Sequence, residues 1–291
     1  MKKNNEIKYS SIIPKIIEVD TIIKTLFYSL APLYKPEHTI EQRVTVPLFT
    51  SLHSTSESIL ILLQNQAVFD ADILLRSIME GTVKYCYLMI GNSEEKTSKC
   101  NEYKNVLCEI DRLNDHKKAK EATEILKTFL QNDIGPFESM ILSEEEANIL
   151  ANKYSAATKN RITNKWSYQS LLRMLAADHE EYKAYKAQLG TLSAYATICH
   201  NCHYDWTGVS ARNEEIMSSS DGSNEFYDYM HALRIVSNVL SMYLFRVLEY
   251  MRCNQFSNAR LEKEYLKGLN VAMALDNELN LLLKDFSAND N

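Results

Sequence analysis

The scarcity of glycine and proline limits what this chain can fold into more than any other feature of its sequence. Its 291 residues include only 7 glycines and 5 prolines, whereas these residues usually make up about 7% and 5% of a protein. Sheet-rich folds need many tight turns, and tight turns depend on glycine, proline, asparagine and aspartate. The composition therefore predicts an all-α fold, a multi-helix bundle built on long antiparallel helical hairpins with no significant sheet.

Apolar residues recur at helical spacing in the first third of the chain. Over residues 70–90 the stripe consists of Ala71, Leu74, Leu75, Ile78, Tyr85, Cys86 and Met89. A preceding helix is predicted to open at Pro47, after a loop over 35–46. Only the short break at 65–69 separates the two helices, and a connection of that length predicts an antiparallel hairpin.

The rest of the chain is predicted to be helical with few interruptions. The segment 207–224 is the most loop-like part, and two long helices follow it, over 224–253 and 257–286. Residues 93–163 are more charged than their surroundings. We therefore predict a single helical bundle domain over residues 1–291, with 93–163 as a helical insertion.

Net charge and the distribution of apolar residues indicate the partners and the cellular location of the protein. The net charge is -6, which argues against bulk binding of nucleic acid but leaves room for a small basic pocket. Lys15, Glu18 and Asp20 interrupt the apolar residues near the N-terminus, and a secretion signal needs an unbroken apolar segment. The sequence also lacks an obvious run of about 18 apolar residues. We expect a cytoplasmic protein with free thiols and no membrane partner.

The pentapeptide from Cys199 to His203 matches the haem-attachment pattern C-x-x-C-H. Haem attachment normally takes place outside the cytoplasm, and zinc binding would call for a second cysteine pair at zinc-finger spacing. A thioredoxin-like redox pair would need a βαβ context. The favoured interpretation is a helix end with two small buried thiols, Cys199 and Cys202, beside His200 and His203. We accordingly expect no metal, haem or other cofactor.

Two segments carry a family resemblance. Around the middle of the predicted hairpin, an alanine, a Leu-Arg pair and a glutamate four residues after the arginine stand at Ala71, Leu75-Arg76 and Glu80. Further along, a set spaced by four residues consists of Tyr195, Cys199 and His203, with Cys where the family has Ser. In these positions the chain resembles the bacterial domain-of-unknown-function 5677 family.

That resemblance implies a helical protein without an assigned activity. The family is distantly similar to HEPN helical bundles, many of which are ribonuclease toxins or phage-defence effectors. The HEPN active-site pattern is an arginine, four to six residues, then a histidine, and Arg173 and His179 have that spacing. Met174 follows the arginine, where that superfamily usually has a polar residue, so the pattern is incomplete.

The same relation implies a homo-dimer, because HEPN-like bundles often pair. The last predicted helix supports this expectation with more apolar residues than one core can absorb. They are Leu261, Leu266, Leu269, Val271, Leu275, Leu279 and Leu282.

One group of polar residues is a candidate catalytic site. Arg76 and Glu80 are four residues apart and share a helix face, and His203 joins them if the family resemblance holds. In one interpretation they form a structural salt bridge with a core histidine. In another, His203 is a general acid or base, Arg76 stabilises an anion such as phosphate, and Glu80 orients them. A third alternative adds His53 and Glu57 to Glu80 and His203 as a metal site.

Two functions of different classes follow from these observations. The first is an interaction or sensor module of a defence or stress system, with a protein partner. The alternative is a HEPN-like ribonuclease or nucleotide-acting toxin, and only this alternative has RNA or a nucleotide as its partner. The acidic charge favours the first, whereas convergence of Arg76, Glu80 and His203 on an open surface would favour the second.

Overall fold

A computed structural model shows how these segments pack. It describes residues 7–30, 39–129, 138–177, 183–203, 205–217, 224–256 and 258–289. Every regular element in these ranges is helical, which confirms the predicted all-α bundle. Two compact units can be separated, one of Met1–Ile90 with Leu172–Asn291 and one of Gly91–Leu171. The single domain with an insertion at 93–163 stays a prediction.

The helices follow one another in chain order after a 3-10 turn at Tyr9–Ile12. They are α1 (Ile13–Leu30), α2 (Ile40–Gln64), α3 (Val68–Met89), α4 (Ser93–Asn101), a π-helical stretch (Glu102–Leu107), α5 (Cys108–Phe129), α6 (Glu144–Lys153), α7 (Ala156–Lys165), α8 (Tyr168–Ala177), α9 (Lys183–Gln188), α10 (Thr191–His203), α11 (Trp206–Met217), α12 (Asn224–Cys253) and α13 (Ala259–Asn289).

Helix α2 begins earlier than the sequence predicted. The Thr39 hydroxyl accepts a backbone N–H of the first turn at 3.3 Å, which caps the helix. Pro47 lies inside α2 rather than at its start, so the predicted loop is wrong for residues 40–46. Pro47 has no N–H, so the helix loses one backbone hydrogen bond there. The burial of Val44 and Phe49, on either side of the proline, stabilises a helix that continues through it.

The predicted hairpin of α2 and α3 is confirmed. The helices are joined by Asn65–Ala67, where Gln66 takes a positive φ of 60°. A Cβ atom placed on Gly81 would lie 2.3 Å from Leu52 Cδ2. Glycine at this position therefore lets α2 and α3 approach closely.

Helix α3 is the centre of the first unit. It packs against α2, against α12 and against α10. The buried side chains of α12 include Leu233, Val236, Val239 and Leu240. These contacts leave one polar edge of α3, and α10 lies beside it.

Residues 206–217 form helix α11, so the predicted loop over 207–224 is wrong for this part. Asp205 caps the helix, because its Oδ1 accepts the Gly208 N–H at 3.1 Å. The capping aspartate compensates for the weak helix propensity of glycine. The remaining loop residues 218–223 lie outside the described residues.

Among the residues that the structure describes, the largest fully buried side chain is the arginine Arg246 of α12. It donates hydrogen bonds to the Thr82 hydroxyl at 2.7 Å and to the Ser56 hydroxyl at 3.2 Å. Its guanidinium carbon lies 4.9 Å from the centre of the Tyr243 ring. Arg246 therefore links α2, α3 and α12 in the interior through charge-assisted hydrogen bonds.

Among the described helices, α2 is long and apolar enough to cross a membrane by length and composition alone. Core helices of soluble proteins pass the same test, and α2 buries Leu52, Ile59 and Leu63 within the bundle. The expected cytoplasmic location and the absence of a membrane partner stay predictions.

The second unit has its own polar contacts. The Glu102 carboxylate accepts hydrogen bonds from Lys165 and from the Trp166 indole, both at 2.6 Å. Helix α6 begins with a capping box formed by Ser143 and Glu146.

Candidate functional site

The candidate site lies where α10 packs along α3. Arg76 Nε donates to Glu80 Oε1 at 3.0 Å, and the Tyr195 hydroxyl donates to the same oxygen at 2.6 Å. Tyr195 also places its ring 5.5 Å from the Arg76 guanidinium carbon. Because Tyr195 meets Glu80 and the later residue His203 meets Arg76, α10 runs antiparallel to α3.

His203 completes this group, which we call the α3–α10 cluster (Arg76, Glu80, Tyr195 and His203). Arg76 Nη1 lies 3.1 Å from His203 Nε2. Arginine has only donors, so Nε2 accepts this bond and the proton of the neutral imidazole is on Nδ1. His203 is exposed, and the Arg76 and Glu80 side chains keep 25% and 29% of their surface accessible. The three predicted residues therefore meet at a surface that solvent reaches.

Hydrogen bonds fix the charges of this cluster. Burial opposes ionisation of Glu80, but the bonds from Tyr195 and Arg76 outweigh it and lower the pKa of Glu80. Burial likewise opposes the charge of Arg76, yet its bonds to Glu80 and Tyr195 raise the pKa of the guanidinium. Burial and the bond to Glu80 raise the pKa of Tyr195. At neutral pH the cluster thus contains a carboxylate, a guanidinium and a protonated phenol.

Replacing Glu80 by glutamine should cost about 1–2 kcal/mol at pH 7. Hydrogen bonds to charged groups contribute about 1.5–3 kcal/mol, and partial exposure reduces this value. It is below the roughly 3–5 kcal/mol for breaking a fully buried pair, because both side chains reach solvent.

The stability difference between wild type and Glu80→Gln should become smaller as the pH falls. The pKa of Glu80 is lowered from its ordinary 4.5, so its contribution is complete above pH 4.5 and is lost as the pH falls through the folded-state value. Denaturant unfolding of wild type and Glu80→Gln between pH 7 and pH 3 measures this, with exposed Glu124→Gln as control. An unchanged difference in the free energy of unfolding at pH 3 would show that the Glu80 carboxylate is not the source of the stabilisation.

A second polar group lies one helical turn away on α3, and the sequence did not predict it. The Asp72 side chain is 1% exposed and accepts from His231 Nε2 at 2.6 Å. Arg234 Nη2 donates to both Asp72 oxygens, at 3.2 and 3.1 Å. We call these three residues the α3–α12 cluster. The signal that could have revealed it is the four-residue spacing of Asp72, Arg76 and Glu80.

The two clusters adjoin on α3, where Asp72 and Arg76 are one turn apart, and Cys202 is next to His203 in the chain. Burial raises the pKa of this thiol, while a hydrogen bond to Arg76 acts to lower it and the charge of Asp72 acts to raise it. Cys202 directly precedes His203, whose contact with Arg76 holds this end of α10 against α3.

Aromatic contacts extend the basic character of this region. The rings of His231 and Phe69 meet edge-on with centres 5.6 Å apart, and the Arg212 guanidinium lies 5.3 Å from the Phe69 ring. The N-terminal half of α3 carries Arg76 and lies beside Arg212, Arg234, His203 and His231. Five basic side chains thus lie close to two carboxylates, Glu80 on Arg76 and Asp72 on Arg234.

The C-x-x-C-H residues do not act together. His200 Nδ1 pairs with Asp205 at 2.5 Å, whereas His203 contacts Arg76. Cys199 and Cys202 are free thiols and only half-buried, whereas the sequence predicted that both are buried. In the described part of the chain, no three His, Cys, Asp or Glu side chains are grouped to hold a metal ion. The absence of a cofactor remains an expectation.

His53 and Glu57 belong to other contacts. His53 Nε2 lies 3.6 Å from Glu57 Oε2, and its ring stacks on Phe27 with centres 3.9 Å apart. Its Nδ1 is 3.1 Å from the Tyr243 hydroxyl, and burial lowers the pKa of His53. These neighbours are on α1 and α12, so the alternative metal site with Glu80 and His203 is not assembled.

The HEPN-type spacing cannot be followed to its second member. Arg173 is an exposed residue of α8. His179 lies outside the described residues, and this pair stays a prediction.

The structure defines the class of the protein as an all-α bundle with a polar cluster between two of its helices. A family model described as a family of unknown function, DUF5677, matches residues 42–223. The match covers more than half of the chain, so the protein belongs to this family, as predicted. Comparisons with curated proteins and with solved structures gave no match.

The matched range includes the whole α3–α10 cluster and Asp72. His231 and Arg234 lie beyond it.

Proposed function

We propose that the α3–α10 cluster binds and cleaves a phosphodiester of RNA, as a HEPN-like ribonuclease would. The observation that supports this proposal is the 3.1 Å contact between Arg76 Nη1 and His203 Nε2 at a solvent-accessible surface. A guanidinium recognises phosphate oxygens through several donors, and a histidine is the commonest general acid or base.

A bound phosphate would rearrange this contact in a useful way. The anionic oxygens are better acceptors for Arg76 than a neutral imidazole. When Arg76 turns to the phosphate oxygens, the lone pair of His203 Nε2 is no longer hydrogen-bonded to Arg76. Nε2 can then accept the proton of the ribose 2′-hydroxyl. The 2′-oxygen then attacks phosphorus, and Arg76 stabilises the charge that develops on the phosphate oxygens. Glu80 acts as a positioning residue, because it holds Arg76 through Nε.

Charge sets the expected size of the substrate. The net charge of -6 opposes binding along a long duplex, which depends on many phosphate contacts. The basic side chains around α3 suit a few phosphates of a single strand. This proposal agrees with the distant HEPN resemblance, and it assigns the protein to a cytoplasmic defence or stress system.

A direct test compares two oligonucleotides of the same sequence. The purified protein is expected to cleave single-stranded RNA to a 2′,3′-cyclic phosphate and a 5′-hydroxyl. The DNA strand should stay intact because it lacks the 2′-hydroxyl nucleophile. Intact RNA at micromolar protein, or equal cleavage of the DNA, would count against the proposal.

Self-association is a second proposal, and the surface of α13 supports it. Leu261 and Leu275 are buried in the bundle, whereas Leu266, Leu269 and Met273 are exposed at 57%, 39% and 54%. Their spacing of three and four residues places them on one face. An exposed apolar row of this kind also suits the first predicted role, that of an interaction module with a protein partner.

Light scattering should therefore give a mass near twice 33.5 kDa. A charge on the α13 face should weaken the dimer, so Met273→Glu is expected to shift the mass to that of one chain. Ile125→Glu, at an exposed position of α5, is the matched control. A wild-type mass near 33.5 kDa at micromolar concentration would refute the dimer.

A further inference from the structure

We propose that His231, held by the buried Asp72, is the second acid–base residue of the site and protonates the leaving 5′-oxygen of the RNA. The inference rests on the proposed ribonuclease function. It assigns a role to a residue of α12 that belongs to neither the predicted site nor the family match.

The contacts of Asp72 prepare His231 for this role. A carboxylate only accepts hydrogen bonds, so the 2.6 Å contact puts a proton on His231 Nε2. Nδ1 is then the nitrogen left for exchange with a substrate. The nearly fully buried carboxylate also fixes the orientation of the imidazole ring through Nε2, and the proton to be transferred is carried on Nδ1. Arg234 holds Asp72 through both oxygens, which fixes the carboxylate.

The position of Asp72 places His231 beside the phosphate site. Asp72 and Arg76 lie one turn apart on α3 and share a face. His203 Nε2 lies 3.1 Å from Arg76 Nη1, and His231 Nε2 lies 2.6 Å from Asp72 Oδ2. His203 and His231 therefore approach the same stretch of α3 from different helices, α10 and α12.

The two histidines together carry out both proton transfers of the cleavage step. His203 Nε2 removes the 2′-hydroxyl proton, and the 2′-oxygen forms a bond to phosphorus. The bond from phosphorus to the 5′-oxygen breaks, and that oxygen takes a proton from His231 Nδ1. The products are a 2′,3′-cyclic phosphate and a 5′-hydroxyl, with no other reactant. Two positioned groups of opposite protonation state are the usual requirement for such a transfer.

The test uses His231→Gln and two substrates. The glutamine amide can still donate to Asp72 in place of Nε2 but cannot transfer a proton. A ribonucleotide 3′-(4-nitrophenyl phosphate) has a leaving group that needs no proton, whereas RNA has a poor one. We expect His231→Gln to slow RNA cleavage about 10²–10⁴-fold and to leave the nitrophenyl ester nearly unaffected. His203→Gln should slow both substrates.

The outcomes separate the two proposals. Wild-type protein inactive on both substrates, or His203→Gln as active as wild type, would overturn the ribonuclease function and this inference with it. A normal effect of His203→Gln, with His231→Gln slowing neither substrate or both equally, would overturn only the role of His231. His116→Gln, whose Nδ1 accepts the Leu142 N–H at 3.0 Å, is the control and should change neither rate.

Discussion

Replacing His203 by glutamine is expected to reduce RNA cleavage by about 10²–10⁴-fold, the usual contribution of a general acid or base. The glutamine oxygen can still accept the Arg76 N–H, so the contact with α3 is preserved. His203 is exposed, and exposed substitutions usually change stability by less than about 0.5 kcal/mol. Cleavage assays beside thermal melts therefore separate a catalytic role from a structural one.

The chain provides a matched control on the same helix. His200 is one turn earlier on α10 and pairs with Asp205, so His200→Gln should retain full activity. In cells, overproduced wild-type protein is expected to slow growth, and His203→Gln and Arg76→Ala should relieve this effect. Unchanged cleavage and unchanged growth in both variants, at wild-type melting temperatures, would mean that the cluster serves neither catalysis nor stability.

Replacing Arg246 by alanine is expected to lower the free energy of unfolding by about 3–5 kcal/mol. The change opens a cavity where the largest fully buried side chain was. It also removes the hydrogen bonds that Arg246 donates to the Thr82 and Ser56 hydroxyls, and a hydrogen bond from a charged group contributes about 1.5–3 kcal/mol. The free energy of unfolding of a domain is only about 5–15 kcal/mol, so this variant should be close to unfolding.

Denaturant titration with circular dichroism measures this effect. Arg43→Ala removes an exposed arginine of α2 and should stay within about 0.5 kcal/mol of wild type. A loss of less than 1 kcal/mol for Arg246→Ala would show that water replaces the guanidinium at little cost, and that Arg246 does not hold the three helices together.

The sequence predicted part of the candidate site. Arg76 and Glu80 were found from their four-residue spacing, and His203 from the family resemblance. Asp72 was missed because its four-residue spacing from Arg76 gives no indication of a partner on another helix. His231 is 159 residues away from it, and no periodicity connects residues so far apart.

What the sequence determined by itself is local. Low glycine and proline content and apolar residues at helical spacing were sufficient for the all-α fold, for the α2–α3 hairpin and for α12. Local rules misplaced the start of α2 at Pro47 and treated 207–217 as a loop. Packing of Phe49 in the core and capping by Asp205 decided those helices.

Only the tertiary structure decided which polar side chains meet. Helical periodicity shows which face of α3 is buried, but several helices could cover each face. The packing of α10 and α12 against α3 brings His203 to Arg76 and His231 to Asp72. Charge-assisted bonds form only within about 3 Å, so these pairs depend on how the helices pack rather than on any spacing within the chain.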